Sequence, residues 1–324
     1  MASIKSTLRT LVGRTRKDDL LHNTTYALNE NSVFEYMRRQ SERMKKVGKV
    51  RTGETYRQTL NSFMKFRNGV DLHFDMLTAE TVEKYENHLR SNYLCRNTTS
   101  FYMRVLRCIY NRAVEEGLVQ QTNPFKRVYT GVDKTAKRAM TLKEIRRIKE
   151  LDLTGKTSLD YARDIFLISF YLRGMSFIDM AYLRKKDLSN GYITYSRKKT
   201  GQQLSIRWEQ PMQEILGKYP DNPTQYLLPI IQRQDGTERK QYLNKILFVN
   251  RKLKQIAKMA NISMPLTMYV ARHSWASIAK SKNIPLSIIS EGMGHDNEET
   301  TRIYLATIQT HRIDDANSLI LKDL

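Results

Sequence analysis

The chain predicts a mainly α protein with one small β-sheet, an α+β arrangement in two domains. Three features predict it. Apolar residues recur at three- and four-residue steps along most of the length, and one stretch near residue 200 alternates with period two. A basic segment bearing Pro124 and Gly131 interrupts the helical periodicity between them. With 324 residues, 40% of them hydrophobic, there is material for two cores.

The opening residues, MASIKSTLRTLVGRTRKDD, are broken by charge before any apolar run long enough for a secretory signal. We assign 1–29 as an N-terminal extension. No later segment approaches a membrane span, so the expectation is a soluble, cytoplasmic protein without a membrane partner. Cys95 and Cys108 stand thirteen apart without companions, which suggests neither a disulfide framework nor a zinc site.

Residues 30–125 read as a helical domain. In TYRQTLNSFMKF, Tyr56, Leu60 and Phe63 share one helical face. In SFYMRVLRCIYNRAVEEGL, Tyr102, Val105, Leu106 and Ile109 line one side while Arg104, Arg107 and Arg112 fall mostly on another, and Gly117 supplies the stop. Such a helix packs inward and offers guanidinium groups outward. Residues 126–140 read as a linker, and Lys126, Arg127, Lys137 and Arg138 within it are further candidates for phosphate contacts.

A second domain is expected over 141–310. Thr141-Leu-Lys-Glu144 has the form of a capping box that opens a helix. SLDYARDIFLISFYLRGM carries Phe166, Phe170 and Arg173 at helical spacing and ends at Gly174. GYITYSRKKTGQQLSIRW then alternates Ile193 and Tyr195 before a KKTGQ turn, and Leu204, Ile206 and Trp208 after it, the pattern of a hairpin. LNKILFVNRKLKQIAKMA, YVARHSWASIAKS and PLSIISEGMG read as helices, the last with Pro285 in its first turn. Residues 311–324 form a predicted tail helix with Ile313, Ala316 and Ile320 on one narrow stripe.

Fifty-five Lys and Arg against thirty-three Asp and Glu give a net charge of +22. A positive potential of that size gains counterion-release free energy against a polyphosphate, so double-stranded DNA is the leading partner. Four residues dispersed along the second domain suit work on one phosphate: Lys199, Arg272, His295 and Tyr304. Attack on a phosphodiester builds negative charge, which fixed cations and hydrogen-bond donors stabilise. Arginine stays protonated and binds phosphate oxygens bidentately. A phenol becomes a nucleophile when cations or a base favour its ionised form, and a lysine can protonate the departing sugar oxygen.

The order Lys, then x-x-x-Arg-His, then Gly-His-x8-Tyr resembles the catalytic domain of the tyrosine recombinases, the integrase family. MGHDNEETTRIYL is similar to that family's LGH-x-x-x-x-TT-x-x-Y box, with Thr300 suited to cap the helix bearing the tyrosine. The preceding helical segment resembles the family's core-binding domain, so the likeness covers about residues 30–310. It implies two domains closing on DNA as a C-shaped clamp. It implies too that Tyr304 attacks the scissile phosphate to leave a 3′-phosphotyrosyl link, Arg272 holds the phosphate, His295 hydrogen-bonds it, and Lys199 or the adjacent Lys198 is the general acid. The resemblance further implies strand exchange through a Holliday junction by a homotetramer on DNA, monomeric or dimeric when free, whose tail docks on a neighbouring subunit. Accessory DNA-bending or directionality proteins are possible partners. No metal or nucleotide cofactor is expected, since the phosphotyrosine conserves the bond energy of the cut strand.

Two positions depart from the family. Its first arginine box aligns with RGMSFIDM, which puts Ser176 where the guanidinium belongs and Asp179 at the acid. Arg173 is the leading substitute, with Arg163 and Arg197 behind it. Asp179 is expected to order Arg272 or that substitute. Tyr269 stands where the family has histidine or lysine and is a weaker proton shuttle, while His273 is expected to pack. The vacant arginine leaves open a DNA-binding or regulatory relative without catalysis. A type IB topoisomerase shares the chemistry but not the length. The short extension before residue 30 favours a simple recombinase, such as an invertase, over an arm-dependent integrase, and a transposon integrase is also compatible.

Overall fold

The computed structural model describes residues 31–133, 135, 138–295 and 297–305, with the backbone alone for 300 and 303–305. The chain divides into two compact units between Lys134 and Thr135. Lys137 and the segments read as N-terminal extension and tail helix lie outside the described residues.

The first unit is helical: α1 (Val33–Lys46), α2 (Val50–Phe66), α3 (Ala79–Ser91) and α4 (Arg96–Glu115). Ser32 starts α1, its hydroxyl accepting the Glu35 N–H at 3.0 Å. The helices close over a core in which Phe63 meets Tyr85 edge-on, ring centres 4.9 Å apart. Tyr56, Leu60, Phe63, Val105, Leu106 and Ile109 are buried as their spacing predicts, while Tyr102 lies at the margin. Gly117, at φ +76°, returns its N–H to Val114 O after α4. Residues 126–133, read from the sequence as linker, lie with this unit. Phe125 and Val128 enter the core. Arg96 lies 3.7 Å over the Tyr129 ring and bonds Asp133 at 3.2 Å.

The second unit begins with α5 (Leu142–Lys149), where Thr141 and Glu144 form the reciprocal capping box their spacing predicts. There follow α6 (Thr157–Tyr171) and α7 (Phe177–Ala181), then antiparallel β1 (Leu188–Ser189), β2 (Tyr192–Ser196) and β3 (Gln203–Arg207) in that order. Then come α8 (Gln210–Gly217), α9 (Glu238–Met259), α10 (Met268–Ser281), α11 (Leu286–Met293) and α12 (Glu298–Leu305). The hairpin β2–β3 has the predicted alternation: Ile193 pairs with Ile206 and Tyr195 with Leu204, all four buried. β1 was not foreseen, because two residues are too few to show a period. α6 is apolar nearly all round, with Ile165, Phe166, Leu167 and Ile168 buried, so it runs through the centre and packs on α8, α9 and α10. Pro285 stands at the cap position of α11, one residue before the first turn assigned to it. No helix among the described residues is long and apolar enough to cross a membrane.

Candidate active site

The site is assembled where α6, α10, the hairpin and α11 end against one another. α6 stops at Tyr171, and Arg173 (φ +56°) and Gly174 (φ +74°) both turn left-handed. Gly174 is required twice over. Its φ suits glycine, and a Cβ there would stand 2.5 Å from Arg272 Cα, so α10 crosses this turn at backbone distance. Arg272 is consequently buried, only 6% exposed, and its Nη1 donates to Gly174 O at 3.0 Å. Its Nη2 donates to Met293 O at 2.6 Å and lies 3.0 Å from His295 Nε2.

α11 closes with Gly294 in the left-handed region (φ +64°, ψ +50°), Gly294 N–H bonding Glu291 O and His295 N–H bonding Ser290 O. The last carbonyls of a helix lack intrahelical donors and carry the negative end of its dipole. Here two guanidinium groups fill that need on consecutive residues: Arg272 on Met293 O, and Arg197 on Gly294 O. Arg197 follows β2 and is 7% exposed. A guanidinium has no acceptor, so His295 Nε2 accepts and its proton sits on Nδ1, which donates to Thr301 Oγ1 at 2.7 Å. Thr301 is fully buried on α12, three residues before Tyr304. The Tyr304 side chain lies outside the described residues.

α12 begins at Glu298, with Asn297 Oδ1 accepting the Glu299 N–H at 2.7 Å. Thr300, read as the cap, is therefore inside the helix: the asparagine side chain reaches the orphan N–H first. Asp179 is likewise differently employed. The sequence reading gave it an arginine to order, but Oδ2 accepts the Ser176 hydroxyl at 2.7 Å and Oδ1 accepts the Lys198 N–H at 2.9 Å. Ser176 caps α7, so the position lacking the guanidinium serves as a helix start.

Three guanidinium groups converge nonetheless. Burial drives the Tyr195 phenol well above its ordinary pKa and Asp179 adds to this, while Arg197, Arg272 and Arg173 pull it back, which puts all four charges within electrostatic reach of one ring. Arg173 directs its stem past Gly292. Arg163 is excluded from the cluster, since it bonds Leu151 O at 2.6 Å and pairs with Asp160 and Asp164. Lys199 is exposed in the turn after β2. Tyr269 is 58% exposed on the first turn of α10, its ring edge-on to buried His273 at 4.6 Å. Arg197, placed behind Arg173 by the sequence, is the one buried and bonded to Gly294 O. Its signal was present: Ile193, Tyr195 and Arg197 continue one period-two face, and an arginine on the inward face of a strand needs a buried partner.

In the first unit, Arg107 lines a cavity with Asn111, Gln121, Asn123 and Lys126, and donates to Thr130 Oγ1 at 2.8 Å. Arg104 is partly buried. Arg112 donates to Gln40 Oε1 at 2.9 Å and so also bridges α4 to α1. Arg127 pairs with Glu83 at 3.7 Å, and Arg138 is exposed at the start of the second unit.

Two buried guanidinium groups, an imidazole and a tyrosine-bearing helix thus meet at one helix terminus. Residues 32–130 match the family model for the phage integrase SAM-like domain, and residues 138–311 match that for the phage integrase family. The chain belongs to that family, the tyrosine recombinases, and is a site-specific DNA recombinase. Tyrosine recombinase XerD of Halalkalibacterium halodurans is 25% identical over 255 residues, covering 74% of this chain and 80% of that protein. XerC of Bacillus pumilus is 23% identical over 266 residues, covering 77% and 83%. Among solved structures, a lambda integrase dimer bound to a COC′ core site gives a TM-score of 0.64 at 15% identity, over 84% of this chain and 77% of that one. XerH bound to a palindromic difH substrate gives 0.60 at 18%, over 88% and 94%. These structural likenesses establish the mainly α fold with its small sheet.

Proposed function

We propose that Tyr304 is the nucleophile and that the two guanidinium groups at the end of α11 form the phosphate clamp. The tyrosine oxygen attacks the scissile phosphorus, the bond to the 5′ oxygen breaks, and a 3′-phosphotyrosyl link and a 5′-hydroxyl result. Arg272 and Arg197 neutralise the charge that grows on the non-bridging oxygens. The phenol proton passes to a base, and His295 Nε2 fits that task once Arg272 turns its N–H to the phosphate and releases the single lone pair it now occupies. Lys199 returns a proton to the departing 5′ oxygen. Attack by the 5′-hydroxyl of another strand reverses each step, so rejoining needs no added energy.

The observation that carries this reading is the pairing of Arg272 and Arg197 on the consecutive carbonyls of Met293 and Gly294, beside His295. It favours this reading over that of a catalytically impaired relative. The guanidinium missing at Ser176 has a counterpart supplied by the hairpin, and Arg173 stands near as a third cation.

The test uses a nicked half-site duplex taken from inverted repeats beside the gene. The protein should form a covalent adduct that denaturation does not release, and Tyr304→Phe should abolish it. Arg197→Ala and Arg272→Ala should each lower adduct formation by about a hundredfold or more, the loss typical of one charge-stabilising donor, while still shifting the DNA. Full cleavage by Arg197→Ala sinks the clamp as drawn.

At the level of assembly, the reading is a homotetramer on double-stranded DNA, formed from monomers or dimers and resolving a Holliday junction, with residues 311–324 docking on a neighbour. Inversion of a DNA segment is the simplest biological outcome. Integration or excision with a mobile element, aided by DNA-bending or directionality proteins, uses the same chemistry.

A further inference from the structure

Residue 198 is held at two points. Asp179 Oδ1 accepts its N–H at 2.9 Å, and its ammonium lies 4.2 Å from the centre of the Tyr182 ring. Both holds come from one short stretch, since α7 carries Asp179 and Tyr182 caps its C-terminus. Each hold is itself braced. The Ser176 hydroxyl donates to the other Asp179 oxygen, and Tyr226 meets the Tyr182 ring edge-on at 5.7 Å. Residues 198–200 otherwise form an exposed turn, closed behind by the Arg197 N–H to Gln202 O bond. An exposed turn without anchors samples many conformations, whereas a proton donor must stay within hydrogen-bond reach of the atom it serves.

The geometry points to Lys198 and Tyr182 as positioning residues: with Asp179 they pin the hairpin to the end of α7, so that Lys199 is presented to the departing 5′ oxygen. This rests on the reading of Lys199 as the general acid. It divides the two adjacent lysines by task, one as anchor through a cation–π contact and one as acid. It also gives Ser176 a use. The hydroxyl that replaces the guanidinium orients the carboxylate on which the hairpin hangs.

A sulfur leaving group separates positioning of the acid from every other role, because a 5′-bridging phosphorothiolate expels a thiolate that needs no proton. The measurement is the single-turnover rate of covalent adduct formation by the full chain, at saturating protein, on the half-site with oxygen or sulfur at that position. Tyr182→Leu and Lys198→Met should slow cleavage of the oxygen ester by about tenfold or more, and the sulfur ester should restore them to within about threefold of the unaltered protein. Tyr182→Phe, which keeps the ring, should cleave both at nearly normal rates. Equal slowing on both esters, or no slowing on either, overturns the anchor. Lys198 is exposed, so Lys198→Met tests the idea even where Tyr182→Leu disturbs folding.

Lys199→Ala keeps the two readings apart. If the sulfur ester does not restore it, the general-acid assignment fails and the inference with it. If it is restored while Tyr182→Leu and Lys198→Met are not, the anchor alone is wrong. A defect in Lys198→Met that is larger than in Lys199→Ala and is restored by sulfur exchanges the roles of the lysines and also overturns the proposal.

Discussion

Arg173 and Gly174 are neighbours in the same left-handed region of backbone space, yet substitution should affect them oppositely. Gly174→Ala adds a methyl 2.5 Å from Arg272 Cα and a strained φ, so α10 must move. The backbone strain alone costs about 1–3 kcal/mol, and the expected result is a lower melting temperature together with loss of adduct formation. Arg173→Gly relieves about 1–2 kcal/mol of left-handed strain, which exceeds the roughly 0.5–1 kcal/mol that glycine's added freedom costs. It should melt no lower than the unaltered protein while cleaving more slowly. An Arg173→Gly protein that cleaves at full rate removes that arginine from the phosphate site. Thr301→Val keeps the shape of a buried side chain but takes away the partner of His295 Nδ1. Leaving that donor unmatched costs about 1–3 kcal/mol, and a tenfold slowing of cleavage corresponds to about 1.4 kcal/mol. Single-turnover cleavage slowed by about tenfold, with unchanged DNA affinity, is the expected outcome.

Among the elements, the hairpin and the end of α11 depend most on each other. A Cβ on Gly294 would stand 2.7 Å from Arg197 Cδ and 2.9 Å from Leu204 Cδ1, so Gly294→Ala should push β2–β3 away from the helix end. Cleavage should fall with it, and circular dichroism should still report a helical protein. This contact joins positions about a hundred residues apart in sequence, which is why no local pattern announces it. What was legible was local. Tyr56, Leu60 and Phe63 repeat along one helix, Ile193 and Tyr195 alternate along one strand, and Thr141 and Glu144 are three residues apart. Gly294, His295 and Tyr304 also fall within one eleven-residue box, so their proximity could be expected from spacing. The partner of Asp179 could not, because Lys198 N–H reaches it only through the packing of the hairpin on α7. The buried role of Arg197 needed both levels, a strand period to turn it inward and a helix terminus to receive it.

For the molecule as a whole, a net charge of +22 and a small clamp of buried cations predict two separable dependences on salt. Each phosphate neutralised on duplex DNA contributes about 0.9 to the slope of log affinity against log salt. If Arg104 and Arg107 on α4 meet DNA phosphates as proposed from the sequence, Arg104→Ala/Arg107→Ala should weaken binding across DNA sequences and lower that slope by about 1–2. Arg272 is 6% exposed and bonded to Gly174 and Met293, and in the proposed clamp it meets one phosphate only. Arg272→Ala should lower the slope by at most about 0.9, the share of that one phosphate, while adduct formation falls by about a hundredfold or more. Filter-binding titrations between low and physiological salt, paired with the adduct assay on the same preparations, read both. If Arg272→Ala lost as much of the slope as the α4 double variant, attraction and chemistry would reside in the same residues. The buried pair at the end of α11 would then be part of the general DNA surface instead of a clamp reserved for one phosphate.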